Sequence, residues 1–377
     1  MHPLNVARRR LHEGINYRLR TFAGGRLSSY CQPTSIVLAL TERCNARCIH
    51  CDIWKNRGKE DRASLYQWRV LIADLKKWLG PAQVTFSGGE ALLNRDTIQL
   101  LTFGSSLGLF MELLTHGFWE NQSKIESLAL ARPSRVTISF DGIGETHDRV
   151  RGRAGFVKKT ERTIQTLKRM RKEHRLDMVI RLKTVIMRQN LGDVLEVARF
   201  AQQQELEVFY QPIEQNYNTP EDARWFTHAE TWPSDTEKAV GIVKELRELK
   251  RQGLPIANSL AQLDAMIPYF VNPAQSRIAI QSHSAHEQRQ ACSALTMLQF
   301  QANGDVIVCN AQPPIGNIKT APIREIWQNR PRWWESGCCL ERRLNESQSG
   351  GLIDAHRGDA DHAAEAQIIS KSRTQPV

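Results

Sequence analysis

Residues 38–51, with the sequence LALTERCNARCIHC, carry three cysteines within eight residues. Cys44, Cys48 and Cys51 have the spacing Cys-x3-Cys-x2-Cys and follow a short apolar run typical of a β-strand. Three thiolates on one tight loop can ligate three irons of a cubane cluster and leave the fourth iron without a protein ligand. Structural metal sites normally fill every coordination position, whereas catalytic sites keep one open. The loop therefore predicts an iron–sulfur cluster with one iron free to bind a substrate or a cofactor.

Two other interpretations of this loop stay open. A zinc site needs a fourth ligand close to the three thiolates. His50 is available for that role, but it lies between two cysteines and has to fold back to reach the metal. The second alternative is that the three thiols are unrelated to one another.

The bulk composition is that of a globular protein without a membrane span. The chain has 377 residues, of which 41% are hydrophobic and 24% charged, enough for one large α/β domain and a smaller one. The sequence contains neither a transmembrane-length apolar run nor an apolar signal-peptide core, which argues against export. The eight cysteines are grouped, which favours metal ligation in a reducing cytoplasm over disulfide formation.

The N-terminal segment is strongly basic within a chain of net charge +11. Before residue 35 there is one acidic residue, Glu13, against six arginines: Arg8, Arg9, Arg10, Arg18, Arg20 and Arg26. Such a segment suits an anionic membrane surface, an acidic partner or a nucleic acid, or forms a solvated helix packed on the core. Basic residues are not interleaved with aromatic ones, which argues against nucleic-acid binding.

Between residues 35 and about 212, short apolar runs alternate with longer helical patterns, as in the βα units of a parallel sheet. We therefore predict an α/β fold with a partial (β/α)6 barrel of the TIM type, in which chemistry collects at the C-terminal ends of the strands. The predicted strands are 36–40, 83–86, 110–115, 135–140, 178–185 and 207–211, and the linking helices are 65–79, 94–107, 122–131, 156–174 and 190–204.

The composition divides the chain into five predicted parts. The barrel is followed by a polar stretch with several tryptophans and then by a hairpin pattern with further cysteines. The last residues are poor in large apolar side chains, which predicts a disordered tail. The predicted parts are a basic extension at 1–34, the barrel at 35–213, a lid or helical linker at 214–276, a small hairpin-plus-helix Fe–S domain at 277–344 and the tail at 345–377.

The sequence SGGEA at residues 87–91 ends the second predicted strand. Gly88 and Gly89 let the backbone approach a ligand closely and leave N–H groups unobstructed. Glu90 can accept a hydrogen bond from an ammonium group. A glycine pair after a strand, taken alone, usually marks only a turn. Here the pair lies about forty residues after the cysteine loop, which makes it a stronger indication of a ligand-binding motif.

Polar residues also mark the fourth and fifth predicted strands. The sequence SFDG at 139–142 ends the fourth strand, and Asp141 in it also suits a turn cap. Arg151 follows in a predicted loop, where its side chain either binds an anionic substrate group or is solvated. Arg181 lies inside the apolar fifth strand and has to point into the barrel to keep its charge solvated or paired.

These motifs, in this order, resemble the radical S-adenosylmethionine (radical SAM) superfamily. The resemblance implies that Cys44, Cys48 and Cys51 hold a catalytic [4Fe–4S] cluster whose open iron binds the amino and carboxylate groups of SAM. Reductive cleavage of SAM then gives methionine and a 5'-deoxyadenosyl radical, which abstracts a hydrogen atom from the substrate. The protein supplies binding and orientation, while the cofactors carry the chemistry.

The resemblance also implies roles for seven SAM-binding residues. Ala91 replaces the proline usual after the glutamate, which softens the turn but leaves the acceptor in place. For Arg181 an ion pair with Glu90 or Asp141 remains the alternative to a bidentate contact with the SAM carboxylate. Gln211 is a further candidate for adenine or substrate. The seven residues are His50 for adenine, Gly88, Gly89 and Glu90 for the amino group, and Ser139, Asp141 and Arg181 for the ribose or carboxylate.

A second group of cysteines lies near the C-terminus. The sequence Asn-Gly-Asp at 303–305 between apolar flanks predicts a β-hairpin, which brings Cys292 and Cys309 to a common end. With Cys338 and Cys339 this region resembles the auxiliary-cluster extension of radical SAM enzymes, the SPASM domain or the shorter twitch domain. The resemblance implies one auxiliary [4Fe–4S] cluster on Cys292, Cys309 and one or both of the adjacent pair.

The match to the full SPASM pattern is incomplete. The block Cys-x2-Cys-x5-Cys-x3-Cys is absent from the sequence. Adjacent cysteines are awkward ligands of one cluster, so Cys31 or the substrate is an alternative fourth ligand. Buried core thiols are the remaining interpretation.

Three function classes follow from these patterns. The first is a maturase or oxidoreductase acting on a peptide or protein, and the second is a radical SAM enzyme acting on a small metabolite or cofactor precursor. Both need an external electron donor such as flavodoxin or ferredoxin. The third is a non-catalytic electron-transfer or scaffold protein, which needs the cysteines but not Glu90, Ser139 or Arg181.

Overall fold

The computed structural model describes residues 3–21, 27–56, 61–216, 219, 222, 224–273, 293–309 and 312–333. Within these residues the strands are β1 Ser35–Ala39, β2 Gln83–Ser87, β3 Phe110–Thr115, β4 Arg135–Ser139, β5 Val179–Ile186, β6 Glu207–Pro212, β7 Met297–Phe300, β8 Asp305–Ile307 and β9 Gly316–Asn317. The helices are α1 Pro3–Thr21, α2 Leu65–Leu79, α3 Thr97–Ser106, α4 Ser123–Leu130, α5 Glu145–Arg151, α6 Phe156–Glu173, α7 Val194–Gln203, α8 Thr236–Arg251, α9 Leu260–Val271 and α10 Ile323–Gln328.

Strands β1 to β6 form one parallel sheet in which each strand pairs with the next in the sequence. Helices connect consecutive strands, as parallel pairing requires. The predicted α/β class and the six-stranded partial barrel are therefore confirmed. All six strands end at the same rim of the barrel, so the loops that carry the predicted motifs meet there.

The outer face of the barrel is an apolar core covered by helices. Helix α2 forms with the predicted bounds because Ser64 and Gln67 make a capping box at its start and its apolar residues recur on one face. Along β5, every second residue is buried and the others are partly exposed. The buried set faces the helices, and the alternate set faces the inside of the barrel. The buried residues of α2 are Trp68, Leu71, Ile72, Leu75 and Leu79.

The lower half of the barrel interior is filled by paired charges. Arg135 donates to both carboxylate oxygens of Glu112, at 2.8 and 2.7 Å, and Thr85 and Thr137 donate to the same carboxylate. These bonds hold the pKa of Glu112 below its ordinary value although burial acts in the opposite direction. The network closes the N-terminal end of the barrel, which leaves the opposite rim as the open mouth.

The C-terminal strands extend the same sheet rather than forming a separate one. Strand β7 pairs in parallel with β1, and β8 and β9 follow in antiparallel order. Gly304, with φ of +92°, makes the turn between β7 and β8. The indole of Trp327 on α10 donates to the carbonyl of Cys31 at 2.9 Å. The hairpin and helix expected within 277–344 are thus present in its described part and belong to the first compact unit, Met1–Ser336.

Other predicted segments are described in part. The basic extension forms the single helix α1. In the predicted lid, Trp225 and Trp232 contact each other edge to face, and Trp232 packs against Tyr269 and Phe270 of α9. None of the helices that the structure describes is long and apolar enough to cross a membrane. Cys292, Cys338, Cys339 and the predicted tail lie outside the described residues.

Candidate active site

The three-cysteine loop leaves β1 at the barrel mouth and packs into an apolar shell. Cys48 is buried together with Phe118 and Phe156, and the partly buried Cys44 and Cys51 pack against the same group. Such a shell limits water access and lowers the local dielectric around a metal site. The three predicted ligands are therefore brought together at one end of the barrel.

The raised pKa values of Cys44 and Cys51 fit a site that binds a cation. Burial, with smaller contributions from the charges of Glu90 and the neighbouring thiols, raises the pKa of Cys44 to about 12. Burial also raises the pKa of Cys51. Cys44 and Cys51 are therefore protonated in the protein alone, and iron binding would release their protons and compensate the buried negative charge.

The thiols are not arranged for a single ion. Among the described residues, no three side chains of Cys, His, Asp or Glu are gathered closely enough to hold one metal ion. A cubane cluster is larger and takes one thiolate at each of three corners. The three thiols of the loop match the number of protein ligands that the predicted cluster needs.

One side of the cysteine loop rests on the turn after β2. Gly89 and Glu90 donate their N–H groups to the carbonyls of Thr41 and Arg43, each at 2.8 Å. A Cβ at Gly88 would lie 2.2 Å from the Thr41 oxygen, and one at Gly89 would lie 2.4 Å from the Arg43 oxygen. The glycine pair thus allows close contact between two protein loops, whereas the sequence suggested that its N–H groups stay open to a ligand.

The other side of the loop rests on the end of α5. Arg47 and Ile49 donate their N–H groups to the carbonyls of Arg151 and Val150, at 3.2 and 3.0 Å. Gly152 has φ of +67°, and a Cβ there would lie 2.1 Å from the Arg47 oxygen. The cysteine loop is held between two backbone surfaces, which fixes the positions of its thiols.

Glu90 is a fully buried carboxylate directly behind the loop. It accepts hydrogen bonds from the N–H groups of Leu92 and His116, at 3.2 and 2.8 Å, and from the Thr115 hydroxyl at 3.1 Å. Burial nevertheless raises its pKa to about 7. The carboxylate therefore lacks a full counter-charge, and a positively charged ligand group would stabilise its ionised form.

His116 is a site residue that the sequence reasoning missed. Its Nδ1 accepts from the N–H of Phe118 at 2.9 Å, so Nε2 carries the proton and donates to the Asn45 side chain at 2.6 Å. Burial lowers the pKa of His116 to about 3, which keeps the ring neutral. The imidazole links the cysteine loop to the backbone that binds Glu90. The sequence signal that could have identified His116 is its position directly after β3, because the other site motifs also follow strand ends.

Asp141 has a structural partner rather than an open carboxylate. It forms a buried ion pair with Arg151 and accepts the N–H of Val185 at 2.9 Å. Burial opposes ionisation, but the Arg151 guanidinium holds the pKa of Asp141 below its ordinary value. The same guanidinium donates to the Cys48 sulfur at 3.4 Å. Arg151 is thus neither solvated nor open to a substrate anion, the two alternatives drawn from the sequence.

Arg181 points into the barrel as predicted, but its charge is already paired. Its guanidinium donates twice to Glu207 on β6, at 2.9 and 2.6 Å. Arg181 therefore forms an ion pair, as the second interpretation of the sequence predicted, although its partner is neither Glu90 nor Asp141. The sequence could not identify Glu207 because the register of β5 and β6 decides which side chains lie opposite each other.

Two predicted SAM contacts, Ser139 and His50, lie at the mouth of the barrel. Ser139 ends β4 on the inward face of the strand. The Nδ1 atom of His50 is buried and has no hydrogen-bond partner among the described residues. Burial lowers the pKa of His50 to about 4, so the ring is neutral and able to pack against an aromatic base.

Two family models match the chain in the regions that form this site. The first, the radical SAM superfamily, matches residues 38–201, and the second, an iron–sulfur cluster-binding domain called SPASM, matches residues 292–346. The chain is a radical SAM enzyme with a C-terminal SPASM domain. Its cofactors are a [4Fe–4S] cluster, SAM and auxiliary iron–sulfur in the SPASM domain.

Several named proteins are similar in sequence to this enzyme. It is 24% identical to the AdoMet-dependent heme synthase of Methanosarcina barkeri over 79% of this chain and 82% of the relative. It is 32% identical to the PqqA peptide cyclase of Rhodopseudomonas palustris over 47% of this chain and 46% of the relative.

The barrel also resembles solved structures of Streptococcus suis SuiB, at 16% identity. The structure with SAM has a TM-score of 0.61 and covers 82% of this chain and 68% of SuiB. The structure with the precursor peptide SuiA has a TM-score of 0.60 and covers 86% and 69%. At this identity the likeness concerns the fold.

Of the four predicted ligands of the auxiliary cluster, one lies within the residues that the structure describes. Cys309 is buried at the end of the β7–β8 hairpin. Cys31, the alternative fourth ligand, is also buried, and its thiol donates to the Asn16 carbonyl at 3.7 Å. Burial raises the pKa of Cys31. The ligand set of the auxiliary cluster remains a prediction.

Replacing Arg151 with methionine should destabilise this radical SAM domain by about 3–5 kcal/mol. The substitution keeps the side-chain bulk but leaves the fully buried Asp141 without its counter-charge. Urea unfolding of the cluster-free protein measures the change. Arg149→Met is the matched control, since Arg149 is exposed and bonds the Gln189 carbonyl, and it should cost below about 1 kcal/mol. An Arg151→Met protein as stable as this control would contradict the role of the pair.

Proposed function

We propose that the cysteine loop and the turn after β2 form one SAM-cleaving unit at the barrel mouth. The observation that carries this proposal is the pair of 2.8 Å backbone bonds that Gly89 and Glu90 make to the loop. They fix the thiols and the Glu90 carboxylate relative to each other before any ligand binds. Such preorganisation favours a ligand that must touch the open iron and the carboxylate together.

In this proposal each residue has a defined task. Cys44, Cys48 and Cys51 hold the cluster, and Glu90 binds the ammonium group of SAM. His50 packs against adenine, and Ser139 contacts the ribose or carboxylate. When bound, the cluster and SAM supply a 5'-deoxyadenosyl radical that abstracts hydrogen from the substrate. The apolar shell of Phe118 and Phe156 excludes water from the cluster.

The proposed electron donor is an acidic protein of the flavodoxin or ferredoxin type. Arg43 and Arg47 are exposed on the cysteine loop. With Cys44 and Trp54 they line a surface cavity of about 440 Å³. Opposite charge steers such a donor toward the cluster. A reducing cytoplasm, which keeps the thiols free, is the proposed location.

The proposed substrate is a peptide or protein, which makes the enzyme a maturase. The 32% identity to a PqqA peptide cyclase supports this class. The barrel architecture shared with SuiB, whose structure holds a precursor peptide, also supports it. The peptide cyclase match spans about half of either chain, so the support concerns part of the protein.

A specific observation favours a second candidate, an iron porphyrin. The match to the heme synthase spans 79% of this chain and 82% of that enzyme, although the identity is 24%. A match of that length includes far more of the chain than the peptide cyclase match. Under this candidate the hydrogen atom is abstracted from a porphyrin side chain.

Deuterium transfer distinguishes the two candidates. The anaerobically reconstituted enzyme is reduced with SAM present and given peptides encoded beside its gene, prepared with deuterated side chains. An iron porphyrin with deuterated propionate side chains is tested in parallel. Deuterium in the 5'-deoxyadenosine from a peptide supports the maturase proposal, and deuterium from the porphyrin alone overturns it in favour of the second candidate.

A further inference from the structure

Helix α1 presents three of its apolar side chains to solvent and turns polar ones toward the core. Leu11, Ile15 and Tyr17 are 65, 48 and 60% exposed, whereas Asn16 on the inner side is only 3% exposed. Amphipathic helices of globular proteins normally show the opposite arrangement, with their apolar face against the core. Packing within the described chain therefore does not explain the apolar side chains on the outer face of α1.

Hydrogen bonds hold α1 from its polar side. The side chain of Asn16 accepts the backbone N–H of Gln32 at 2.9 Å, and the Asn16 carbonyl accepts the thiol of Cys31 at 3.7 Å. The His12 ring lies 2.6 Å from the side-chain oxygen of Gln32. Among the side chains of α1 that the structure describes, none belongs to the apolar core. The helix is therefore fixed through its polar face, and its apolar face points outward.

The outward residues form one stripe along the helix. Arg8, Leu11, Ile15 and Arg18 are all exposed, and their spacing of three, four and three residues places them on one side of an α-helix. Gly14 lies beside them, and a Cβ there would meet no atom within 4 Å. The stripe thus joins two apolar side chains, with an arginine at each end, and it is open to solvent.

The charge of α1 is predominantly positive. The helix has five arginines against one acidic residue, Glu13, and its first turn contains no acid. The charge of Arg8 also reaches Lys76 on α2, whose pKa is lowered first by burial and then by this like charge. Like charges gathered on one surface repel each other, so the stability of the fold does not explain them. An anionic surface would offset this repulsion.

Helix α1 lies at the end of the barrel away from the mouth. Gln32, which binds α1, precedes β1, and Gly108 precedes β3. Lys76, the neighbour of Arg8, donates its ammonium group to the Gly108 carbonyl at 3.3 Å. The starts of parallel strands share one rim, opposite the rim that carries the cysteine loop. A surface bound to α1 would therefore leave the barrel mouth accessible.

We propose that α1 is a membrane-binding helix that docks the enzyme on an anionic lipid surface. Leu11 and Ile15 enter the boundary between headgroups and acyl chains, while the long arginine side chains remain at the headgroups. A second copy of the chain fits less well, because two positive helices repel each other. A partner helix would also have to fill the gap at Gly14, whereas lipid chains adapt to it.

Sedimentation with lipid vesicles tests the apolar part of the stripe. Reconstituted full-length enzyme is mixed with vesicles of phosphatidylcholine and phosphatidylglycerol in equal parts, or with phosphatidylcholine alone. The variant is Leu11→Ser/Ile15→Ser. Tyr66→Ser/Val70→Ser is the matched control, because this pair is also apolar and exposed, at the same spacing on α2. Iron content and Tm show whether each variant is folded.

The wild type should sediment with the anionic vesicles and not with the neutral ones. Leu11→Ser/Ile15→Ser should bind about tenfold more weakly, and the α2 control should bind like the wild type. Gly14→Leu, which adds an apolar side chain to the open stripe, should bind more tightly. Formation of 5'-deoxyadenosine should be unchanged in the Leu11→Ser/Ile15→Ser protein, so the membrane proposal and the proposed function fail separately.

Charge variants test the anionic part of the proposal. Arg8→Gln/Arg18→Gln should weaken vesicle binding about tenfold, whereas Lys158→Gln/Arg162→Gln, which changes two exposed cations on α6, should not. Wild-type protein that ignores the anionic vesicles or binds both vesicle types equally overturns the proposal, as do α1 variants that bind like the wild type.

Two further results would assign α1 to a different partner and contradict membrane docking. Binding of polyglutamate in place of vesicles would indicate an acidic protein. A dimer seen by light scattering without vesicle binding, and lost in the Leu11→Ser/Ile15→Ser protein, would indicate a second copy of the chain.

Discussion

Replacing Cys48 with alanine should abolish 5'-deoxyadenosine formation, because the barrel cluster loses one of its three protein ligands. Cys48 is the buried member of the three thiols and receives the Arg151 guanidinium at 3.4 Å. A cubane held by two thiolates has lost a corner ligand, so bound iron should fall by about four per chain. Iron bound by the SPASM domain should remain. Anaerobic reconstitution followed by iron analysis and chromatography of the nucleoside measures both quantities.

Cys31→Ser is the matched control for this substitution. Cys31 is also buried, but its thiol contacts the Asn16 carbonyl of α1 and not the cysteine loop. The variant should keep its barrel cluster and its nucleoside product. Persistent 5'-deoxyadenosine from Cys48→Ala protein would show that the loop is not the catalytic ligand set.

Replacing Glu90 with glutamine should lower 5'-deoxyadenosine formation by at least about a hundredfold while the iron content stays unchanged. The amide has the same size, but it removes the negative charge and turns an N–H donor toward the Thr115 hydroxyl and the His116 N–H. The cluster ligands are not touched, because Glu90 holds the loop through its backbone. The Kd of SAM should rise with the loss of activity.

Glu120→Gln provides the comparison for Glu90. Glu120 lies on the surface and pairs with Lys159, and surface pairs contribute little. Its variant should match the wild type in iron, SAM binding and product. If Glu90→Gln cleaved SAM at the wild-type rate, the proposed SAM site would be wrong, and the scaffold alternative would not explain that result either.

The parallel barrel could be predicted because its signals are local. Alternating apolar runs and helical patterns identify βα units, and the rule that chemistry lies at strand ends places the motifs on one rim. Helix α2 shows this most clearly, since residues 64–79 contain both its capping box and its apolar face. The order of the motifs along the chain then indicated the superfamily.

Contacts across the sheet could not be predicted in the same way. The partner of Arg181 is Glu207, which depends on the register of two strands, and the partner of Asp141 is Arg151, which depends on the path of α5. The role of Gly88 and Gly89 also differed, because the close approach is to another loop. Local sequence identifies a residue that needs a partner, and tertiary packing decides which partner it finds.

Anaerobic reconstitution of the wild-type enzyme with iron and sulfide, followed by reduction in the presence of SAM, tests the central claim most directly. We expect about eight irons per chain, from one cluster in the barrel and one in the SPASM domain, together with 5'-deoxyadenosine. About four irons with the nucleoside would keep the barrel site and remove the auxiliary cluster. Iron without 5'-deoxyadenosine despite a competent reductant, or zinc in place of iron, would contradict the account.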